Sequence, residues 1–181
     1  MNKLKNIFIE ILGSQTKTAF SKFVLLGFSG TLLSLIILLA FDFLHPNFCV
    51  DIPNIHFWKC TNSLMVHMVF LILFPFAYLA YAIFYSQKYL LFLFIELIIQ
   101  KAKYESIEWV LQYIPSSMDT MLKKISKRLG LQNSISTKEL LEHLLALPFN
   151  KITEKFMPNL FFYYLIISLE ITVFVYLWLK M

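Results

Sequence analysis

Phe156–Leu179 reads FMPNLFFYYLIISLEITVFVYLWL, twenty-four residues with one charged side chain, Glu170. A helix rises about 1.5 Å per residue and the hydrocarbon core of a bilayer is about 30 Å thick, so this stretch is long enough to cross a membrane. A carboxyl group near the middle of such a segment is costly, and it faces a bundle interior, a water-filled cavity or a partner. The rest of the chain is organised around stretches of the same kind.

Phe23–Phe41 and Cys60–Gln87 are two further runs without Asp, Glu, Lys or Arg. Hydrophobic residues make up 59% of the 181 positions and charged residues 15%, against about 25% charged in an ordinary soluble domain. The composition therefore places the chain in the membrane class. Its 19 phenylalanines suit lipid-facing surfaces, but a coding bias would inflate them too, and they carry no functional argument.

Charge placement orients the runs. Lys3, Lys5, Lys17 and Lys22 precede the first, against Glu10, while the connection to the second holds one lysine, Lys59, against Asp42 and Asp51. Ten basic residues lie between Lys88 and Lys155. The positive-inside rule then puts the N-terminus and the long connection in the cytoplasm, and the first loop and the C-terminus outside. The expected setting is a bacterial inner membrane. The first run is longer than a signal-peptide core and lacks a small-residue cleavage pattern, so it is expected to remain as a signal anchor.

The expected fold is an all-α integral membrane protein with three transmembrane helices. Its parts are a cytoplasmic amphipathic segment at 1–22, a transmembrane helix at 23–43, an outer loop at 44–62 and a second transmembrane helix at 63–85. A cytoplasmic helical region at 86–157 and a third transmembrane helix at 158–179 complete it. Leu4, Ile7, Phe8, Ile11 and Leu12 recur at helical spacing, predicting a short helix in the membrane interface that stops near Gly13. Pro75 predicts a kink in the second span. The apolar run Tyr89–Ile99 is short for a span; it extends the second helix, lies along the membrane, packs on a partner or, alternatively, opens a fourth span.

Within 86–157, Ile107, Val110, Leu111 and Ile114 form a stripe ending at Pro115. Ser116 with Asp119 and Ser136 with Glu139 have capping-box spacing, and Gly130 fits a helix stop. The region from 100 to 157 is small for a self-sufficient core, so packing on the membrane or on another protein is the expected source of its order. Lys123, Lys124, Lys127 and Arg128 crowd one side of the helix opened by Asp119, which points to anionic lipid headgroups or an acidic partner. No aromatic residues interleave with these charges, so nucleic acid is not an expected partner.

Four groups of residues are candidate sites. Gly27 with Thr31 and Gly30 with Ser34 thin one flank of the first span, allowing close approach of a helix from this chain or from another subunit. Cys49 and Cys60 both fall in the outer loop, where a disulfide would close about a dozen residues in an oxidising compartment. His45 and His56 repeat the same four-residue spacing to those cysteines. That is zinc-ligand chemistry, but the spacing departs from the usual finger pattern and intervening prolines disfavour helical ligand pairs. No metal or cofactor is therefore expected. Glu170 has three readings: a neutral carboxyl hydrogen-bonded to Tyr78, Tyr81, Tyr163, Tyr164 or His67; a group paired with another membrane subunit; or a station on a proton or cation path. His67 is also placed to meet His45 across the helix pair.

No Walker A motif, nucleophile elbow, HExxH or dinucleotide glycine cluster occurs, and the chain is not expected to be an enzyme. The expected role is a non-catalytic structural or regulatory subunit of a larger membrane complex, of secretion, respiratory or transport type, with other integral membrane subunits as partners. One alternative is an oligomeric ion or proton channel, in which a homo-oligomer multiplies Glu170 into a ring. Another is a membrane immunity or inhibitor protein.

Overall fold

The computed structural model describes residues 2–44, 61–113, 119–131 and 136–180, and among these it is built of helices. They are α1 (Asn2–Leu44), α2 (Thr61–Met68), a π-helical turn (Val69–Leu73), α3 (Phe74–Tyr104), α4 (Ile107–Tyr113), α5 (Asp119–Leu129), α6 (Thr137–Ala146), α7 (Phe149–Phe156) and α8 (Phe161–Lys180). Three stretches, Leu12–Leu44, Leu64–Tyr104 and Phe161–Leu179, are long and apolar enough to cross a membrane. The loop holding His45, Cys49, His56 and Cys60 lies outside the described residues, as does Ser116 of the first capping box.

Two elements differ from the sequence expectation. Helix α1 runs unbroken through Gly13. A lone glycine costs only about 1 kcal/mol relative to alanine, and continuing a formed helix is cheaper than nucleating a new one. The Thr16 and Thr18 hydroxyls after it donate to the Leu12 and Ser14 carbonyls, four residues back, at 3.0 and 3.1 Å. The second difference is at Pro75. The ring would clash with the carbonyl four residues earlier, and the helix widens just before it, the Phe74 N–H donating five residues back to the Val69 carbonyl. The expected kink takes the form of a π turn.

The chain divides into two compact units. The first comprises Met1–Phe20 and Ser86–Pro158. Its core gathers Leu91–Ile95, Ile98 and Ile99 of α3, Val110 of α4, Leu122 and Ile125 of α5, Leu140, Leu141 and Leu144 of α6, and Ile152 and Phe156 of α7. The run Tyr89–Ile99 thus continues α3 and becomes its central helix, buried from Leu91 to Ile99 on every side but that of Glu96. A helix apolar all round is a buried helix. Counting the region only from residue 100 omits this helix, which is why it looked too small to hold a core. Leu12 of α1 packs at the edge of the cluster.

Local signals close the helices of this unit. The Ser136 side chain accepts from the Glu139 N–H at 3.2 Å, and the Glu139 carboxylate accepts from the Ser136 N–H at 3.0 Å, which caps α6. Gly130 has φ of 74°; its N–H reaches the Lys127 carbonyl, and the Leu131 N–H reaches that of Ser126. This is a Schellman stop, with Leu131 returned to the core.

The second unit comprises Ser21–Tyr85 and Asn159–Met181. Leu38, Phe41, Val66, Phe70, Phe74 and Tyr78 form its interior, with Ile166, Ile167 and Phe174 of α8 against them. Phe41 and Phe174 meet edge to face at 6.5 Å. Phe28, Phe43, Phe76, Tyr164 and Leu179 point outward and are exposed, as a lipid-facing surface requires.

Candidate functional site

Glu170 projects from α8 into the interior of the second unit and is completely buried. The Tyr78 hydroxyl of α3, equally buried, donates to its Oε2 at 2.5 Å. Of the five candidate partners the structure selects Tyr78, and Gly30 accounts for the choice. A Cβ on Gly30 would overlap the Tyr78 ring, so the absent side chain lets the ring lie against the α1 backbone. Ser34, one turn on, is also buried and turns its hydroxyl back to the Gly30 carbonyl at 3.2 Å. Gly27 is less constrained, because a Cβ there would stand 3.8 Å from the Ala82 Cβ, an ordinary contact. Thr31 spends its hydroxyl on the Gly27 and Phe28 carbonyls. The small flank of α1 is therefore covered by α3 of the same chain at Gly30 and Gly27.

A chain of tyrosine rings extends from Tyr78. The Tyr163 ring lies 5.5 Å from Tyr78 and 5.7 Å from Tyr81, and its hydroxyl shares a hydrogen bond with the Ser29 hydroxyl at 2.7 Å. Tyr81 donates to the Asn159 carbonyl at 2.7 Å, and the Asn159 side chain accepts from the Phe161 N–H at the start of α8. These bonds tie α1 and α3 to α8. The other carboxyl oxygen, Glu170 Oε1, is buried and has no hydrogen-bond partner among the described residues.

His67 does not join this group. Its Nε2 lies 3.0 Å from Asp42 Oδ2, both side chains being partly exposed, so it links the end of α1 to α2. Asp42, Ser29 and Asn159 were not anticipated. Their contacts join residues far apart in the chain, which a single sequence does not encode at any fixed spacing. The Gly30–Tyr78 contact had a readable half, since a glycine inside a span marks a place where something bulky sits on the backbone.

An open apolar groove of 540 Å³ lies in the second unit, lined by residues including Phe23, Gly27, Phe28, Thr31, Leu71, Pro75 and Leu79. Neither Glu170 nor Tyr78 lines it. On α5 of the first unit, Lys123, Lys124, Lys127 and Arg128 are exposed, while Leu122 and Ile125 are buried. Among the described residues, no cluster of three or more His, Cys, Asp or Glu could hold a metal. The proposed ligands His45, Cys49, His56 and Cys60 lie outside those residues, as does the Cys49–Cys60 disulfide. The chain matches no protein-family model, no curated protein and no solved structure.

Proposed function

We propose that the chain is a non-catalytic structural or regulatory subunit of a larger membrane assembly of secretion, respiratory or transport type. The observation that carries this reading is the enclosure of Glu170. The carboxyl is bonded to Tyr78 over Gly30 and is absent from the lining of the apolar groove, which favours a part in holding three helices together. In this reading the N-terminus and the first unit are cytoplasmic, the C-terminus is outside, and the membrane is a bacterial inner membrane. The basic flanks support that orientation, and a Cys49–Cys60 disulfide in the outer loop fits it. Outward apolar faces such as that of α8, whose spanning window is only 6% buried within the chain, are available to lipid or to other subunits.

Extraction in a mild detergent at native expression level, with intact-mass measurement of the particle, tests the reading. Different subunits at fixed stoichiometry are the expected result. A particle holding only this chain would overturn it.

The unpartnered Glu170 Oε1 favours one second reading, a proton or cation station in an oligomeric channel. Glu170→Gln separates the two. A channel loses or changes its flux with its composition intact, whereas a structural subunit loses partners, or nothing, and has no flux of its own.

A further inference from the structure

The apolar groove of the second unit has dimensions that any occupant must meet. Helices α1 and α3 are antiparallel beside it, with Gly27 against Leu79 and Ala82 and Gly30 against Tyr78. Phe23, at one end of the lining, lies four residues before Gly27, and Leu71, at the other, lies eight before Leu79. At 1.5 Å per residue the groove is about 18 Å long. Its 540 Å³, spread over that length, leave a cross-section of about 30 Å², less than half that of a helix about 10 Å across. A transmembrane helix does not fit inside it, whereas an extended hydrocarbon chain does.

The walls are dry. Thr31 carries the one polar side chain in the lining, and its hydroxyl is turned to the Gly27 and Phe28 carbonyls at 3.1 and 2.9 Å. A water molecule needs two to four polar partners and finds none offered by these side chains. Within a bilayer, apolar surface alone gives no preference for protein over lipid, so packing decides. A chain lying in the groove has protein on two sides and gains dispersion contacts that a chain against the outward face of α8 does not.

One end of the groove carries charge. Lys22 is exposed and immediately precedes Phe23, where the uncharged run of α1 begins, so it stands at the level of lipid headgroups. From there the groove reaches inward by close to the depth of one leaflet, half of a hydrocarbon core about 30 Å thick. We propose that the groove seats one acyl chain of an anionic phospholipid from the leaflet on the Lys22 side, with the headgroup phosphate beside the Lys22 ammonium. This rests on the membrane-spanning fold and holds whether or not the chain is a subunit of an assembly.

The test uses the full chain in nanodiscs of phosphatidylcholine, with a minor component of phosphatidylglycerol that carries a diazirine along one acyl chain. After irradiation, adducts are located by peptide mass spectrometry. Adducts on Phe28 and Leu71 should exceed those on Leu169 and Ile171 several-fold. The latter two are also exposed and flank Glu170, so they lie at the depth of Tyr78. Thr31→Phe fills the groove from one wall and Leu71→Trp from the other, and each should abolish the excess at Phe28. Leu35→Phe adds a ring on an exposed position of α1 outside the lining and should leave it intact. An unchanged melting curve verifies the fold of each variant. Lys22→Gln should lower the groove adducts about fivefold, the preference that one cation contributes near an anionic surface.

Equal labelling of the groove and α8 would overturn the proposal, because the lipid there would then be ordinary bilayer. An excess that survives both filling variants would overturn it too. Labelling indifferent to Lys22→Gln would remove the phosphate contact and with it the assignment to an anionic phospholipid. Groove residues that crosslink to another membrane protein in the native membrane, and take no lipid adduct there, would assign the groove to that protein's side chains.

Discussion

The first unit hides its apolar residues and displays its charges; the second does nearly the reverse. Helix α3 contributes to both, and the contrast can be read along it. Phe76, Leu79, Ile83 and Phe84 face outward, whereas Leu91–Ile95 and Leu97–Ile99 are buried. The second unit keeps Glu170 and Ser34 inside, and the first keeps Lys123, Lys124, Lys127 and Arg128 outside. Apolar density alone does not distinguish a core helix from a membrane span. The side on which the polar groups are hidden does, because it reports the solvent each unit is built for.

If the first unit is held by an ordinary aqueous core, its interior should be the more sensitive to truncation. Phe156→Ala should destabilise it by about 3–5 kcal/mol, seen as faster amide exchange in α5, α6 and α7 with α8 unchanged. Equal loss of protection in α8 would mean that the two units unfold together. The second unit should respond most to added volume. Gly30→Ala drives a methyl into the Tyr78 ring and should cost about 1–3 kcal/mol, whereas Gly27→Ala, with room for a methyl, should be close to neutral. The two substitutions compared in one thermal-shift series give the sharper reading of which glycine packing requires.

Tyr78→Phe removes the hydrogen bond to Glu170 Oε2 and should cost about 1–3 kcal/mol, since both carboxyl oxygens are then buried without a donor among the described residues. Pairing it with Glu170→Leu should recover part of that loss; no recovery in the double variant would show that the pair does not act as a unit. Ser136→Ala removes the α6 cap and should cost about 1 kcal/mol, confined to exchange at the start of α6. The smallest effect is expected at Lys138, whose 3.7 Å ion pair with Glu108 is solvent-exposed. Lys138→Gln should change stability by no more than a few tenths of a kcal/mol.

The three apolar helices, the α6 capping box and the Gly130 stop were legible because each rests on spacing within a few residues. Glu170 stood out as the one charge in its run, and Tyr78 was among its expected partners. What picked Tyr78 from five candidates was a contact across 48 positions with Gly30, which no local pattern announces. The role of Tyr89–Ile99 was hidden for a different reason. Measured against a bilayer the run is too short, and its length carries no hint that α4–α7 would wrap it. Asp42 read as an ordinary loop-end charge until His67, 25 residues away, was placed beside it.

The π turn at Val69–Leu73 has a consequence for phase. Val66, Phe70, Phe74, Tyr78 and Ala82 are all buried and all four residues apart. In an unbroken α-helix a four-residue step overshoots a full turn by about 40°, so such a series would wind away from the interior within three steps. One wide turn sets the winding back, and the five residues stay in line. The bulge beside Pro75 thus acts as a vernier between the His67 end of the helix and Tyr78. Removing a single exposed residue from it, such as Ile72, would leave the five buried side chains chemically intact and point one end of the series the wrong way.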